Sequence, residues 1–293
     1  MIAHLYICDQ SFVYNGQDSD REVERKLLEF KLMVNKAKEY RDNEFYLNNN
    51  QFTNTVILSN KVTIADVLNT GERRLGRDSM NLFLSLFKIC KKCTLSKNEL
   101  VEYLELEDET QCNGILVLNT QDDLPKNHQV ISTVGGWLQF RRYYLGKYPG
   151  DTVYFLEEAK KYFTRLCIHE HNKDKYLKEI LSTHSQRIVA YLSVLNDFFI
   201  SDYKEFKGDL IQYLPMFSKK YKIDGASFEG KKEEKFKCTF KDKNNEHIEM
   251  YCEPHLKMYT DNFGNANQQG RIYFNAPRKG DEILYVGFIC RHL

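Results

Sequence analysis

Proline is scarce in this chain, with 5 in 293 residues, and tryptophan occurs once. Few positions therefore force a helix to stop, so element ends must be read from caps and glycines. Long apolar runs are missing too. Nothing approaches the roughly 18 residues that a membrane span needs, and the best candidate, residues 82–90, is interrupted by Ser85 and Lys88. The opening MIAHLYICDQ has no basic n-region and no small-residue cleavage site, so it does not read as a secretory signal. The expectation is a cytoplasmic protein with no membrane contact. Charge of one sign is not in excess, since 42 Lys and Arg face 41 Asp and Glu for a net charge of +1. That excludes a global electrostatic pull toward nucleic acid, so an anionic partner must be met by a local patch.

Several motifs are absent as well. There is no GxxxxGK[ST], no GxGxxG after a strand, no GxSxG and no HExxH. These absences remove the common nucleotide loops, the hydrolase elbow and the simplest zinc protease site. The 8 cysteines are scattered, and Cys90–Cys93 is the single CxxC. A structural zinc site wants a second pair at fixed spacing, and none follows. Asp122-Asp123 is a paired acid without the further acid and lysine that a metal-dependent DNA nuclease needs. No metal and no cofactor are expected.

What is present is ordered by period. Residues 3–8 alternate as a strand. Ser19 and Glu22 form a capping-box pattern ahead of Val23, Leu27, Phe30 and Val34, which predicts a helix over 20–40. Asn48-Asn49-Asn50 reads as a turn or loop and residues 53–58 as a strand. Helices are expected after Thr63, over 79–91, and from the Ser96/Glu99 box. Residues 152–169 read as one helix, with His169 and His171 at its solvent-facing end. Further helices are expected over 182–200 and 203–221, the second bent or split at Pro215. After Asp224-Gly225 the period changes to strands over 235–240, 248–252, 256–259, 271–274 and 283–289, with a polar loop over 261–269. The fold class is α+β: a mixed N-terminal domain, a helical middle, and a small C-terminal antiparallel sheet packed on a helical hairpin. Pro149-Gly150 sets the boundary, giving a regulatory or substrate-presenting domain over 1–150 and a second domain over 151–293.

Two constellations carry candidate chemistry. Around Arg141, Arg142, Tyr143 and Tyr144, aromatic and basic residues interleave, as in a stacking platform for single-stranded RNA. A packed connector is the favoured alternative there. The second constellation is C-terminal. His255 and Lys257 are i and i+2, and so are Arg271 and Tyr273. Each pair shares a strand face, with His292 at the end of the last strand. Ser227, Glu229 and Glu253 lie near enough in sequence to join them.

The order helix, helix, strands, with Arg271-Ile-Tyr-Phe274 followed by the apolar strand ending in Arg291-His292, resembles the RelE/ParE toxin superfamily over roughly residues 184–293. The whole chain is similar to bacterial toxin or phage-defence proteins. The resemblance implies a metal-independent endoribonuclease that cleaves through the RNA 2′-hydroxyl, in a toxin–antitoxin or antiviral defence setting. Arg271 would clamp the phosphate, and His255, Lys257, Tyr273 and His292 would supply charge and move protons. The implied partners are RNA, as tRNA or ribosome-bound mRNA, and a protein antitoxin or defence-complex partner. ParE-type members are not ribonucleases, so a non-catalytic interaction subunit is the alternative.

Overall fold

A computed structural model describes residues 1–70, 74–206, 209–228, 230–231, 233–241, 246–259, 269–277, 280, 282–291 and 293. The chain folds as two compact units, Met1–Arg141 and Arg142–Leu293. The division falls somewhat ahead of Pro149-Gly150, inside a helix.

The first unit runs β1 (Ile2–Ile7), α1 (Asp20–Glu39), β2 (Glu44–Leu47), α2 (Asn49–Thr53), β3 (Val56–Leu58), β4 (Val62–Thr63), α3 (Ile64–Thr70), α4 (Arg77–Ile89), β5 (Lys91–Lys92), α5 (Lys97–Tyr103), β6 (Gln111–Leu116), β7 (Val130–Ile131) and the start of α6 (Val134–Lys147). The caps act as their residue types predict. The Ser19 hydroxyl accepts from the Glu22 amide, while Ser96 and Glu99 form a full reciprocal box. Asn48 does not end in a loop. Its side chain caps α2, so the asparagine run starts a helical turn.

Five of these strands form one parallel sheet in the order β5-β2-β1-β6-β7, and β3 and β4 pair separately as an antiparallel hairpin. The order reverses between β1 and β6, which makes a topological switch point at their C-terminal ends. Side chains of the unit itself close that point. Ser11 Oγ donates to Cys8 O (2.6 Å) and accepts from Leu118 N (3.0 Å), and Lys26 Nζ bridges Asn119 and Asp18.

The second unit continues with α7 (Thr152–Tyr162), β8 (Leu166–Ile168), α8 (Leu181–Val194), a π-helical turn (Leu195–Phe199), α9 (Ile200–Glu205), α10 (Leu210–Lys220), β9 (Gly225–Ser227), β10 (Lys237–Lys241), β11 (His247–Tyr251), β12 (His255–Met258), β13 (Gly270–Phe274) and β14 (Leu284–Arg291). The single helix expected over 152–169 is two elements. It stops at Tyr162, and Leu166–Ile168 pairs in parallel with β14. His169 and His171 therefore do not end a helix. Their Nε2 atoms reach Thr239 O and Gly287 O at 3.1 and 2.7 Å. Pro215 sits inside an unbroken α10, and the expected join at Ser201 lies within α9.

The sheet order is β8-β14-β13-β12-β9, antiparallel apart from the β8 edge. One face carries Leu256, Ile272 and Phe274 against helices, with Phe199 edge-on to Phe274 at 4.9 Å. The other carries Tyr273, Phe288 and Cys290 beneath the β10–β11 hairpin, whose Cys238, Phe240 and Met250 complete a buried cluster. A bulge interrupts β13–β14 pairing after Tyr273. Asn172 spans it. Its Nδ2 donates to Gly287 O (2.8 Å) and His169 O (2.9 Å), and its Oδ1 accepts from Ile289 N (2.7 Å). Gly287 is required there, because a Cβ would meet Cys252 Cβ at 2.7 Å and Sγ at 2.9 Å.

Candidate active site

Register decides whether the two i, i+2 pairs meet. β12 and β13 are antiparallel with His255 opposite Tyr273 and Lys257 opposite Arg271. Directly opposed residues point to the same face, so all four side chains share one side of the sheet. On the other flank β9 places Ser227 opposite His255.

His255 sits at the centre and is buried. Its Nδ1 lies 3.0 Å from Glu253 O, its Nε2 lies 2.9 Å from Ser227 Oγ, and Arg271 Nη1 is 3.2 Å from the same Nε2. A carbonyl can only accept and a guanidinium can only donate. These contacts are satisfied together by one tautomer, with the proton on Nδ1 and the Nε2 lone pair facing Ser227 and Arg271. Glu253 thus orients His255 through its backbone carbonyl. Its carboxylate is directed elsewhere, accepting from Lys231 N at 3.0 Å.

Arg271 is half-buried and its Nη1 also donates to Tyr273 Oη at 3.4 Å. Its Nε is buried and has no hydrogen-bond partner among the described residues. A desolvated cationic donor left unpaired is costly, and an anionic oxygen would satisfy it. Lys257 is half-buried on the same face with its Cδ above Gly225, and it makes no ion pair among the described residues.

Tyr273 is only 1% exposed. Its ring lies 4.7 Å from the His255 ring and packs against Phe236 and Phe288. Burial pushes its pKa up and Arg271 partly opposes that shift, so the phenol stays protonated at neutral pH. The hydroxyl also accepts from Leu293 N at 3.4 Å. Tyr273 therefore braces Arg271 from below. His292 and Glu229 lie outside the described residues.

The aromatic-basic segment lies in α6 and is turned inward. Trp137 Nε1 donates to Asp42 at 2.9 Å, and Arg141 is 6% exposed beside Asp42 and Cys112. Arg142 is 5% exposed, donating to Tyr162 O and forming an ion pair with Asp197 at 2.6 Å. Tyr144 is buried as well, and of the four only Tyr143 is exposed. The interleaved Arg and aromatic residues here are mostly packed inside the helix's surroundings, with Tyr143 exposed. The donors they would offer to RNA already bind Asp42, Asp197 and a carbonyl.

Among the described residues, no group of three or more His, Cys, Asp or Glu side chains is placed to hold a metal ion, and no helix is long and apolar enough to cross a membrane. Comparison with family models, with curated proteins and with solved structures returned no match to this chain.

Proposed function

We propose that the chain is a toxin-like, metal-independent endoribonuclease whose active site is the His255–Arg271–Lys257 face, as in toxin–antitoxin or anti-phage defence systems. The observation that carries this reading is the 3.2 Å approach of Arg271 Nη1 to His255 Nε2, from a guanidinium whose buried Nε has no hydrogen-bond partner among the described residues. A base beside an unsatisfied guanidinium is the arrangement that 2′-hydroxyl attack on a phosphodiester requires.

In the proposed reaction His255 Nε2 takes the proton of an RNA 2′-hydroxyl. The freed oxygen attacks the adjacent phosphorus, the bond to the 5′-oxygen breaks, and that oxygen leaves as a hydroxyl with a proton taken from water, while His255 returns its own proton to solvent. A 2′,3′-cyclic phosphate and a 5′-hydroxyl result. Arg271 and Lys257 neutralise the charge that grows on the phosphoryl oxygens. Tyr273 holds the guanidinium plane and is a positioning residue. In the resting state Ser227 occupies the place of the incoming hydroxyl. Natural substrates would be tRNA or ribosome-bound mRNA, with a protein antitoxin or defence partner controlling access.

The burial of His255 and Tyr273 favours one rival, a non-catalytic interaction subunit in which the same network only stiffens the sheet. Expression of the wild type and of Arg271→Gln in a bacterial host separates the two. The ribonuclease reading expects arrested growth and fragmented RNA from the wild type alone. Equal growth with intact RNA from both would overturn it.

A further inference from the structure

The second unit also contains an open cleft of about 680 Å³, bordered by α8, the turn after α10 and the ends of β9 and β12. That volume lies within the roughly 300–1,000 Å³ usual for small-ligand sites. Its charge is one-sided. Lys147, Arg187 and Lys222 line it against one acid, Asp224. The acid is already engaged, because its Oδ2 accepts from Arg187 Nη1 at 2.8 Å and from the Tyr259 amide at 2.7 Å. With Arg187 paired to Asp224, the exposed ammonium of Lys222 is a cation of the lining that stands outside that pair.

Lys222 stands where the backbone asks for a different residue. α10 ends in a Schellman motif, with Ile223 N donating to Ser218 O (2.8 Å) and Lys222 N to Lys219 O (3.4 Å). The residue at that corner is left-handed, with φ 54° at Lys222. Glycine is the usual occupant, because a Cβ is strained there. Lysine therefore costs stability at this corner and keeps an exposed ammonium on the rim of the cleft. Lys222 has no ion-pair partner among the described residues, and Tyr259 offers a half-exposed ring nearby.

We infer that this cleft binds a phosphate monoester of nucleotide size. Lys222 and Arg187 contact the phosphate, and Tyr259 supplies a surface for the base. Arginine and lysine are the usual partners of phosphate oxygens, and aromatic rings stack bases without sequence preference. This site does not depend on whether the His255 face cleaves RNA.

The test is calorimetric titration of the full chain with AMP, inorganic phosphate and adenosine, on the wild type, Lys222→Gly and Lys222→Asn. AMP should bind more tightly than phosphate, and adenosine more weakly than either. Lys222→Gly should weaken AMP binding about tenfold, the loss of one charged contact, while its thermal midpoint stays level or rises. Lys222→Asn, which tolerates the left-handed corner, should lose AMP affinity to the same extent. The proposal is overturned by no AMP binding at millimolar concentration, by unchanged affinity in both variants, or by adenosine binding as well as AMP. Phosphate binding as tightly as AMP would overturn the nucleotide assignment. A lowered midpoint in Lys222→Gly would overturn the claim that lysine is kept at that corner for a ligand.

Discussion

At the scale of single residues, His255 is the centre of the proposed chemistry, and the division of labour around it differs from what residue types alone imply. Ser227, Arg271 and the Glu253 carbonyl together leave its Nε2 lone pair directed at Ser227 and Arg271. Ser227 then has no chemical role of its own. Ser227→Ala should leave RNA cleavage within about threefold of wild type, whereas His255→Gln should reduce it by about 100-fold or more, the usual loss of a positioned base. Initial rates on a labelled oligonucleotide decide this. Equal losses in both variants would make Ser227 a participant. The sequence shows that His255 with Lys257, and Arg271 with Tyr273, must each share a face, because strand period alone requires it. It does not show that the two faces coincide, since that depends on a register set across the segment 260–269. The inward turn of Arg141 and Arg142 was likewise hidden, because their partners Asp42 and Asp197 are far away in sequence.

At the scale of elements, β14 is held in place by side chains from the segment after β8. The Asn172 amide satisfies Gly287 O and Ile289 N across the bulge, and His171 donates to the same Gly287 O while stacking on Phe288 at 4.6 Å. Asn172→Ala strands the buried Ile289 N–H, while Gly287 O keeps His171 as a donor, and should cost about 1–3 kcal/mol, measured by urea unfolding. A loss under about 0.5 kcal/mol would show that the bulge holds without it.

His171 adds a pH dependence. Burial, and then the neighbouring His169, lower its folded-state pKa below 6.5. The unfolded chain therefore takes up the proton first on acidification. The stability contributed by neutral His171 is complete above pH 6.5 and is lost as pH falls through the depressed value. The wild type should lose stability below pH 6.5 more steeply than His171→Gln, and parallel profiles would contradict the assignment. None of this arrangement could be read in advance. Leu166-Cys167-Ile168 continues the apolar pattern of α7, and its strand state comes from pairing with a partner more than a hundred residues later. Elements with their own caps, such as α1 and α5, were legible because the signal is local.

At the scale of the whole molecule, balance of charge matters most. A net charge of +1 gives no long-range attraction to RNA, so binding rests on the few cations that line a site. If Lys257 and Arg271 neutralise about two phosphates, log K should fall with log salt at a slope of about −1 to −2 for single-stranded RNA. A slope steeper than about −4 would point to a broad basic surface instead. The α+β class was legible from the change of period after Gly225. The parallel sheet of the first unit was not, because β5 and β7 are too short to show a pattern and their pairing is wholly non-local.

The proposed chemistry is RNA cleavage at the His255–Arg271 face without a metal. Its most direct test incubates the purified full chain with 5′-labelled RNA in excess EDTA, beside Arg271→Gln and His255→Gln variants whose thermal midpoints match the wild type. The wild type should give fragments ending in 2′,3′-cyclic phosphate, and each variant should lose about 100-fold or more. Intact RNA with the wild type, or fragments formed equally by the variants, would contradict it.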